Sequence, residues 1–299
     1  MNWFKKTLAP VATLLALLLL FSCNSGKTDG IELKINFGQG DKYLYSTQVS
    51  QKINSFNTQM EQTMLMDMVY TYVGTEDTNK KLDITYDRIQ MTMNSPMGQS
   101  RYDSKDKTKK EPEFAFMDNL IGKSFHIVLA PNGDIVSING LKELIQSLSA
   151  ATEPDVQAAV ESQLSDTTVR LMMQNSFDMY PGHKVKVGES WGKKSVMKYS
   201  GIGVNVENTY TLKSIDGDKA TLAITSVMDL PATSMTGAGD AAMQMQMKGK
   251  QEGTMEISIA TGQILSGKTT QTIEGNISAG GQVLPIAING DISISSKKL

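Results

Sequence analysis

The chain of 299 residues has a single cysteine, Cys23, and two histidines, His126 and His183. A lone cysteine excludes an internal disulfide, so the fold must rest on burial and hydrogen bonding. With so few soft or imidazole ligands there is no HExxH, no CxxC and no His/Cys set at metal-ligand spacing, and neither a metal nor a cofactor is expected. His126 lies opposite in parity to Phe125, Ile127 and Leu129 and is expected to face water. Neither the serine of GESWG (188–192) nor the glycines of SGIGVN (200–205) and MTGAGDAAM (235–243) are expected to form a nucleophile elbow, a dinucleotide fingerprint or a phosphate loop. No carboxylate pair stands out as a general acid and base, so a non-catalytic role is expected. Charge of one sign is also lacking: the net charge is −2. The lysine-rich stretch SKDKTKK (104–110) is interrupted by Asp106 and reads as a solvated loop, so no nucleic-acid partner is expected.

Long apolar runs are missing too, except at the N-terminus. There MNWFKK carries Lys5 and Lys6, TLAPVATLLALLLLFS follows, and then comes Cys23. A charged segment before a short apolar stretch is the export pattern, and this run falls short of a comfortable membrane span. Leu20-Phe21-Ser22-Cys23 resembles the lipobox of bacterial lipoproteins. The resemblance implies that residues 1–22 are a signal peptide and that Cys23 becomes lipidated, carrying palmitate-type chains on its sulfur and an acyl group on its new amine. Several chains, each buried methylene contributing about 0.8 kcal/mol, hold a protein firmly on a membrane. By the sorting rule of such lipoproteins, Asn24 in place of aspartate implies the outer membrane. Residues 23–30 read as a tether. They contain no dense acidic run, so a periplasm-facing position is expected.

Beyond the tether, alternation dominates. Tyr43, Tyr45, Thr47, Val49 and Ile53 share one parity, and Met64, Met66, Met68, Tyr70 and Tyr72 share another. Leu82, Ile84 and Tyr86 continue the pattern, which slips at Arg88 and resumes as Ile89, Met91 and Met93. A slip of one residue turns the face over, which is what a β-bulge does. Val204, Val206, Tyr210 and Leu212, then Leu222, Ile224, Met228 and Leu230, repeat the alternation of half-buried antiparallel strands. Between them residues 140–180 have helical spacing: Leu141, Leu144, Ile145 and Leu148 suit one helix, and Val156, Val160, Leu164, Leu171 and Met172 a second. Pro154 and Pro181-Gly182 mark its ends.

The two β regions also resemble each other. Residues 69–91 and 207–229 each hold a Tyr-bearing strand, a polar turn, a lysine and an alternating strand; 122–140 and 252–270 each hold strand, Gly-bearing turn and strand. This predicts an internal duplication: a first β repeat at 31–139, a helical segment at 140–180 and a second β repeat at 181–299. The expected fold is mainly β (α+β), with duplicated curved antiparallel sheets or one half-barrel and the helical segment covering the concave face.

Nineteen methionines are the unusual inventory. Met243, Met245 and Met247 alternate strictly, which raises Cu(I) binding by soft thioethers as one reading. The same parity continues as Met255, Ile257 and Ile259, with Gln244, Gln246, Lys248 and Lys250 opposite, so a half-buried strand is the simpler one. Because residues 243–259 exceed a usual strand, a bend at Gly249 or Gly253 is expected.

Together, the lipobox, the motif Gly38-x-Gly40-Asp41-x-Tyr43-x-Tyr45 and the stretch Tyr180-Pro181-Gly182-His183-Lys184-Val185-Lys186-Val187-Gly188-Glu189-Ser190-Trp191 resemble an uncharacterised family of bacterial lipoproteins, a domain of unknown function. More distantly, the architecture resembles the LolA/LolB lipoprotein carriers. The resulting expectation is an outer-membrane lipoprotein holding a hydrophobic ligand or lipid on a surface lined by Met64, Met66, Met68, Tyr70, Tyr72, Met243, Met245, Met247 and Met255. The alternative is a structural or protein-interaction module with a dry core and an envelope partner.

Overall fold

A computed structural model describes residues 30–299 except 56–57, 107, 109–111, 150–165, 178, 200–201, 237–241 and 280. The signal peptide, Cys23, tether residues 24–29 and the Val156–Leu164 part of the second helix lie outside the described residues. No helix among the described residues is long and apolar enough to cross a membrane.

Alternating sequences form strands because successive side chains point to opposite faces. Here the strands are long: β2 (Lys42–Ser55), β3 (Thr58–Glu76), β4 (Asn79–Ser95), β10 (Ile202–Asp216), β11 (Lys219–Thr236), β12 (Ala242–Ser258), β13 (Ile264–Ala279) and β14 (Gln282–Lys298). With the shorter β5 (Gly98–Asp103), β6 (Ser124–Leu129), β7 (Ile135–Asn139) and β9 (Ser190–Tyr199) they form one antiparallel sheet of twelve strands, curved but not closed into a barrel. Its order is β7-β6-β4-β3-β2-β14-β13-β12-β11-β10-β9, with β5 on β4 beside this path. The first and last long strands thus pair at the centre, and the two edges come from the middle of the chain. A separate two-stranded ribbon joins β1 (Ile31–Glu32) to β8 (Lys184–Val185). The sheet is single, not a pair, and β12 runs unbroken through Gly249 and Gly253.

The helical spacing materialises as α1 (Leu141–Ser149) and α2 (Asp166–Phe177). Helix α2 touches both edge strands, β7 and β9. Its Gln174 accepts from Ile135 N–H (2.8 Å) and donates to Gly133 O (3.2 Å), while Arg170 donates to Ile135 O (3.1 Å). Helix side chains thereby occupy backbone groups that an exposed sheet edge would leave open. On its inward side Val169, Met173 and Phe177 join the main core with Tyr45, Tyr70, Leu82, Phe125, Leu212 and Leu222. We call the sheet face carrying this core the inner face.

The hairpins β3–β4 and β10–β11 share a register. Each turns on a positive-φ residue, Asp77 (54°) and Gly217 (58°). Each has a shift at the same place, Tyr72/Leu82 followed by Gly74/Lys81 and Leu212/Leu222 followed by Ser214/Thr221. The preceding turns match as well. Gly40 N–H donates to Tyr72 O and Gly188 N–H to Leu212 O, while the Asp41 and Glu189 carboxylates accept from Gly38 N–H and Lys186 N–H. This geometry equates Tyr70 with Tyr210, two residues out of phase with the sequence likeness of 69–91 to 207–229, because the turns and bulges set the register and the tyrosines do not.

The parity slip at Arg88 is a bulge: Asp67 pairs with Arg88 and Met68 with Tyr86, leaving Asp87 extra. Arg88 donates to Asp103 from Nε (3.2 Å) and Nη2 (2.8 Å), holding that carboxyl below the usual carboxylate range. Lys298 does the same for Asp41 across 2.6 Å. Because both folded-state values are depressed, their contribution is complete above the ordinary aspartate range, near 3.9, and is lost as pH falls through the folded-state values. The melting temperature is expected to fall as pH drops below about 4, and Asp103→Asn to flatten that fall, as circular dichroism melts across pH 2–6 would show.

Candidate functional site

The inner face is read row by row, since paired residues on neighbouring strands share a face. At mid-sheet the row Val49–Met64–Met91 continues on the other side as Ile292–Thr269–Gly253–Ile224. The row toward the core holds Thr47, Met66, Ile294, Gly267 and Met255. Val49, Met64, Met66, Met255, Ile292 and Ile294 are only half-buried, forming an apolar floor beside the core.

One step further from the core lies a polar band. Register links Lys193, Asn208, Ser226, Gln251, Gln271, Gly290, Gln51 and Gln62 into one line across eight strands. Gln251 donates to Thr269 Oγ1 (2.7 Å) and Gln62 reaches Met91 Sδ (3.8 Å). Gln51 and Gln271 converge over Gly290, where a Cβ would lie 3.0 Å from Gln51 Cγ and 3.3 Å from Gln271 Nε2. On the core side of the floor stand Tyr45 and Tyr70, edge-to-face at 4.5 Å, with burial holding both phenols well above their ordinary pKa. They are neutral at any physiological pH.

The nine residues predicted to line a ligand surface share the inner face but not one site. Met68, Tyr70 and Tyr72 are buried in the main core, with Tyr70 6.3 Å from the Phe177 ring. Met245 and Met247 are buried in a second cluster with Val204, Val206, Met228 and Leu230, and Met243 is half-buried at the far end of β12. The thioethers of Met245 and Met247 thus pack with that of Met228 among Val204, Val206 and Leu230. Only Met64, Met66 and Met255 belong to the half-buried floor. The glutamine band was missed because its members come from four strands and align only through register; their shared parity with the methionines was the available signal.

Elsewhere the chemistry is sparse. His126 is exposed and lies 2.6 Å from Asp83 Oδ1, a partner from another strand. His183 Nε2 sits 3.7 Å from Glu189 Oε1. Gly188-Glu189-Ser190-Trp191-Gly192 does carry the G-x-S-x-G spacing, contrary to expectation. Ser190, however, opens strand β9 and shares a hydrogen bond with Thr211 Oγ1 (2.8 Å), whereas a nucleophile elbow leads from strand into helix. Trp191 in that stretch is structural: it stacks on Tyr210 at 5.8 Å and donates from Nε1 to Met179 O (2.9 Å). One depression, of about 890 Å³, lies at the far end of the sheet among Asn54, Gln59, Gln246, Glu274, Asn276 and Ile286 and includes one predicted lining residue, Met247. Another, of about 470 Å³, is lined by Gln51, Gln62, Gln271 and Gly290 together with residues of the opposite parity, Lys52, Glu61 and Asp291 among them.

No curated protein matches the chain. Among solved structures, an outer membrane channel from Pseudomonas putida F1 is 6% identical over 88% of this chain and 97% of its own, with a TM-score of 0.25. Pseudomonas aeruginosa OccK7 (OpdD) is 7% identical over 88% of this chain and all of its own, with a TM-score of 0.22. The translocator domain of the autotransporter NalP from Neisseria meningitidis is 6% identical over 87% and 89%, with a TM-score of 0.23. Agreement at that level carries no inference about this chain. A family model matches residues 77–264, from the β3–β4 turn to the start of β13 and well over half the sequence, so the chain belongs to the Family of unknown function (DUF6263).

Proposed function

We propose that the protein is a lipoprotein of the cell envelope, anchored through Cys23 to the outer membrane and facing the periplasm, that holds a hydrophobic ligand on the inner face without catalysing a reaction. The observation that carries this reading is the half-buried floor of Val49, Met64, Met66, Met255, Ile292 and Ile294, bordered by glutamine amides. Methionine surfaces re-pack around varied apolar groups, and a ligand there covers apolar area that the described residues leave half-open. The lipobox supports the anchor.

Two measurements test it. Full chain purified from envelopes is expected to release a stoichiometric lipid on solvent extraction, with native mass spectrometry showing the same added mass; a lipid-free protein refutes ligand binding. Incorporation of labelled palmitate is expected for the native chain and to vanish for Cys23→Ala; unlabelled native protein refutes the anchor. The second reading, an interaction module with a dry core, is favoured by the burial of Met68, Tyr70, Tyr72, Met245 and Met247. It predicts no extractable lipid and a crosslinked envelope protein.

A further inference from the structure

The inner face is almost free of charge. From the Tyr45 row outward, the inward-facing register positions on β2, β3, β4, β10, β11, β12, β13 and β14 hold, among the described residues, only apolar side chains, glycines and neutral Gln, Asn, Ser, Thr and Tyr. The exception is Lys193 on edge strand β9, at the end of the polar band and already engaged with another group. The opposite face carries the ion pairs, Lys52–Glu61 and Lys194–Glu207 among them.

We infer that the ligand is a non-ionic amphiphile, its acyl part on the Met64–Met66–Met255 floor and its uncharged polar part against the amides of Gln51 and Gln271. This rests on the hydrophobic-ligand reading above. The floor has glutamine amides along one border and the buried Tyr45–Tyr70 ring pair of the core along the other. Neither the Gln51 nor the Gln271 side-chain amide has a hydrogen-bond partner among the described residues, and the two side chains converge on the side-chain-free spot at Gly290. Amides offer both donors and acceptors, which suits ester, amide and hydroxyl groups. An anionic head on the inner face would meet no inward-facing cation on these strands among the described residues, since Lys52 beside Gln51 has the opposite parity and pairs with Glu61. Desolvating an unpaired charge is far costlier than desolvating a neutral polar group. Six residues separate Gln51 from Tyr45, roughly 20 Å of extended strand. That exceeds the depth of one leaflet's hydrocarbon, about 15 Å, so a full-length acyl chain fits. The buried Ser195 hydroxyl on β9, which has no partner among the described residues, is a further neutral donor at the Lys193 end of the band.

The test uses the full chain in phosphatidylcholine vesicles doped with a diazirine-bearing monoacylglycerol or with the fatty acid of the same chain length. Peptides containing Met64–Met66 and Met255 are then quantified by mass spectrometry after irradiation. The monoacylglycerol is expected to label them at least ten times more than the fatty acid. In Gln271→Lys, which supplies a cation, fatty-acid labelling is expected to rise severalfold; if that variant does not fold, the comparison of probes on the native chain decides alone. Equal labelling by both probes, or preference for the fatty acid, overturns the non-ionic assignment while the hydrophobic-ligand reading stands. Labelling of neither peptide by either probe overturns both.

Discussion

Gly133→Ala is expected to be among the most damaging single substitutions in the chain, lowering stability by about 3 kcal/mol or more, at or beyond the upper end of ordinary overpacking. Gly133 turns the β6–β7 hairpin at φ +90°, where any Cβ is strained. A Cβ there would also collide with Phe177 O at the end of α2 and lie 2.9 Å from Tyr180 Cδ2. The obstacle on one side is backbone and on the other a fully buried ring, so neither yields cheaply. Losing this approach would also disturb the Gln174 bond to Gly133 O, and with it the seat of α2 between the sheet edges. Gly40→Ala is the control: Gly40 has a similar φ of 78° but open space around its Cβ direction. It is expected to lose only about 1 kcal/mol, the conformational part alone. Urea titrations of the two variants check the pair, and equal losses would show that φ, not contact, sets the penalty.

Trp191→Ala is expected to destabilise by about 3–5 kcal/mol, the usual range for removing a buried tryptophan. The indole fills the β9 end of the core, stacks on Tyr210 and satisfies the Met179 carbonyl. Trp191→Phe keeps most of the ring but orphans that carbonyl, for which about 1–3 kcal/mol is expected. Because Met179 and Tyr180 immediately follow α2, and Tyr180 donates to Gly262 O (2.6 Å), the substitution should also loosen the helix. Hydrogen exchange is expected to quicken in α2 of the Phe variant before it does so in β2–β4.

Much of the fold was legible in the alternation. The face of β3 was readable from Met64 to Tyr72, and the bulge at Asp87 from the parity slip, because a period of two leaves no freedom once one face is buried. The helices showed for the complementary reason, a change of period after Gly140. The site was less legible. Nine Met and Tyr positions shared a face, yet only three belong to the half-buried floor, since depth along a strand depends on what packs above it. In the same way, burial put Met245 and Met247 in a separate cluster with Val204, Val206, Met228 and Leu230.

Taken alone, the sequence determined the strand-rich class and the inward parity of nearly every long strand, both of which are local properties. In β12 it also placed Lys248 and Lys250 on the parity opposite the methionines. Only the tertiary structure decided that β2 and β14 pair at the centre, that α2 closes onto both edges, and that Gln51, Gln62, Gln251 and Gln271 lie in one row. Those facts depend on register between strands more than two hundred residues apart, where bulges and turns accumulate offsets of one or two residues. An offset of that size is invisible to periodicity, and it separates a scattered set of glutamines from a band bordering an apolar floor.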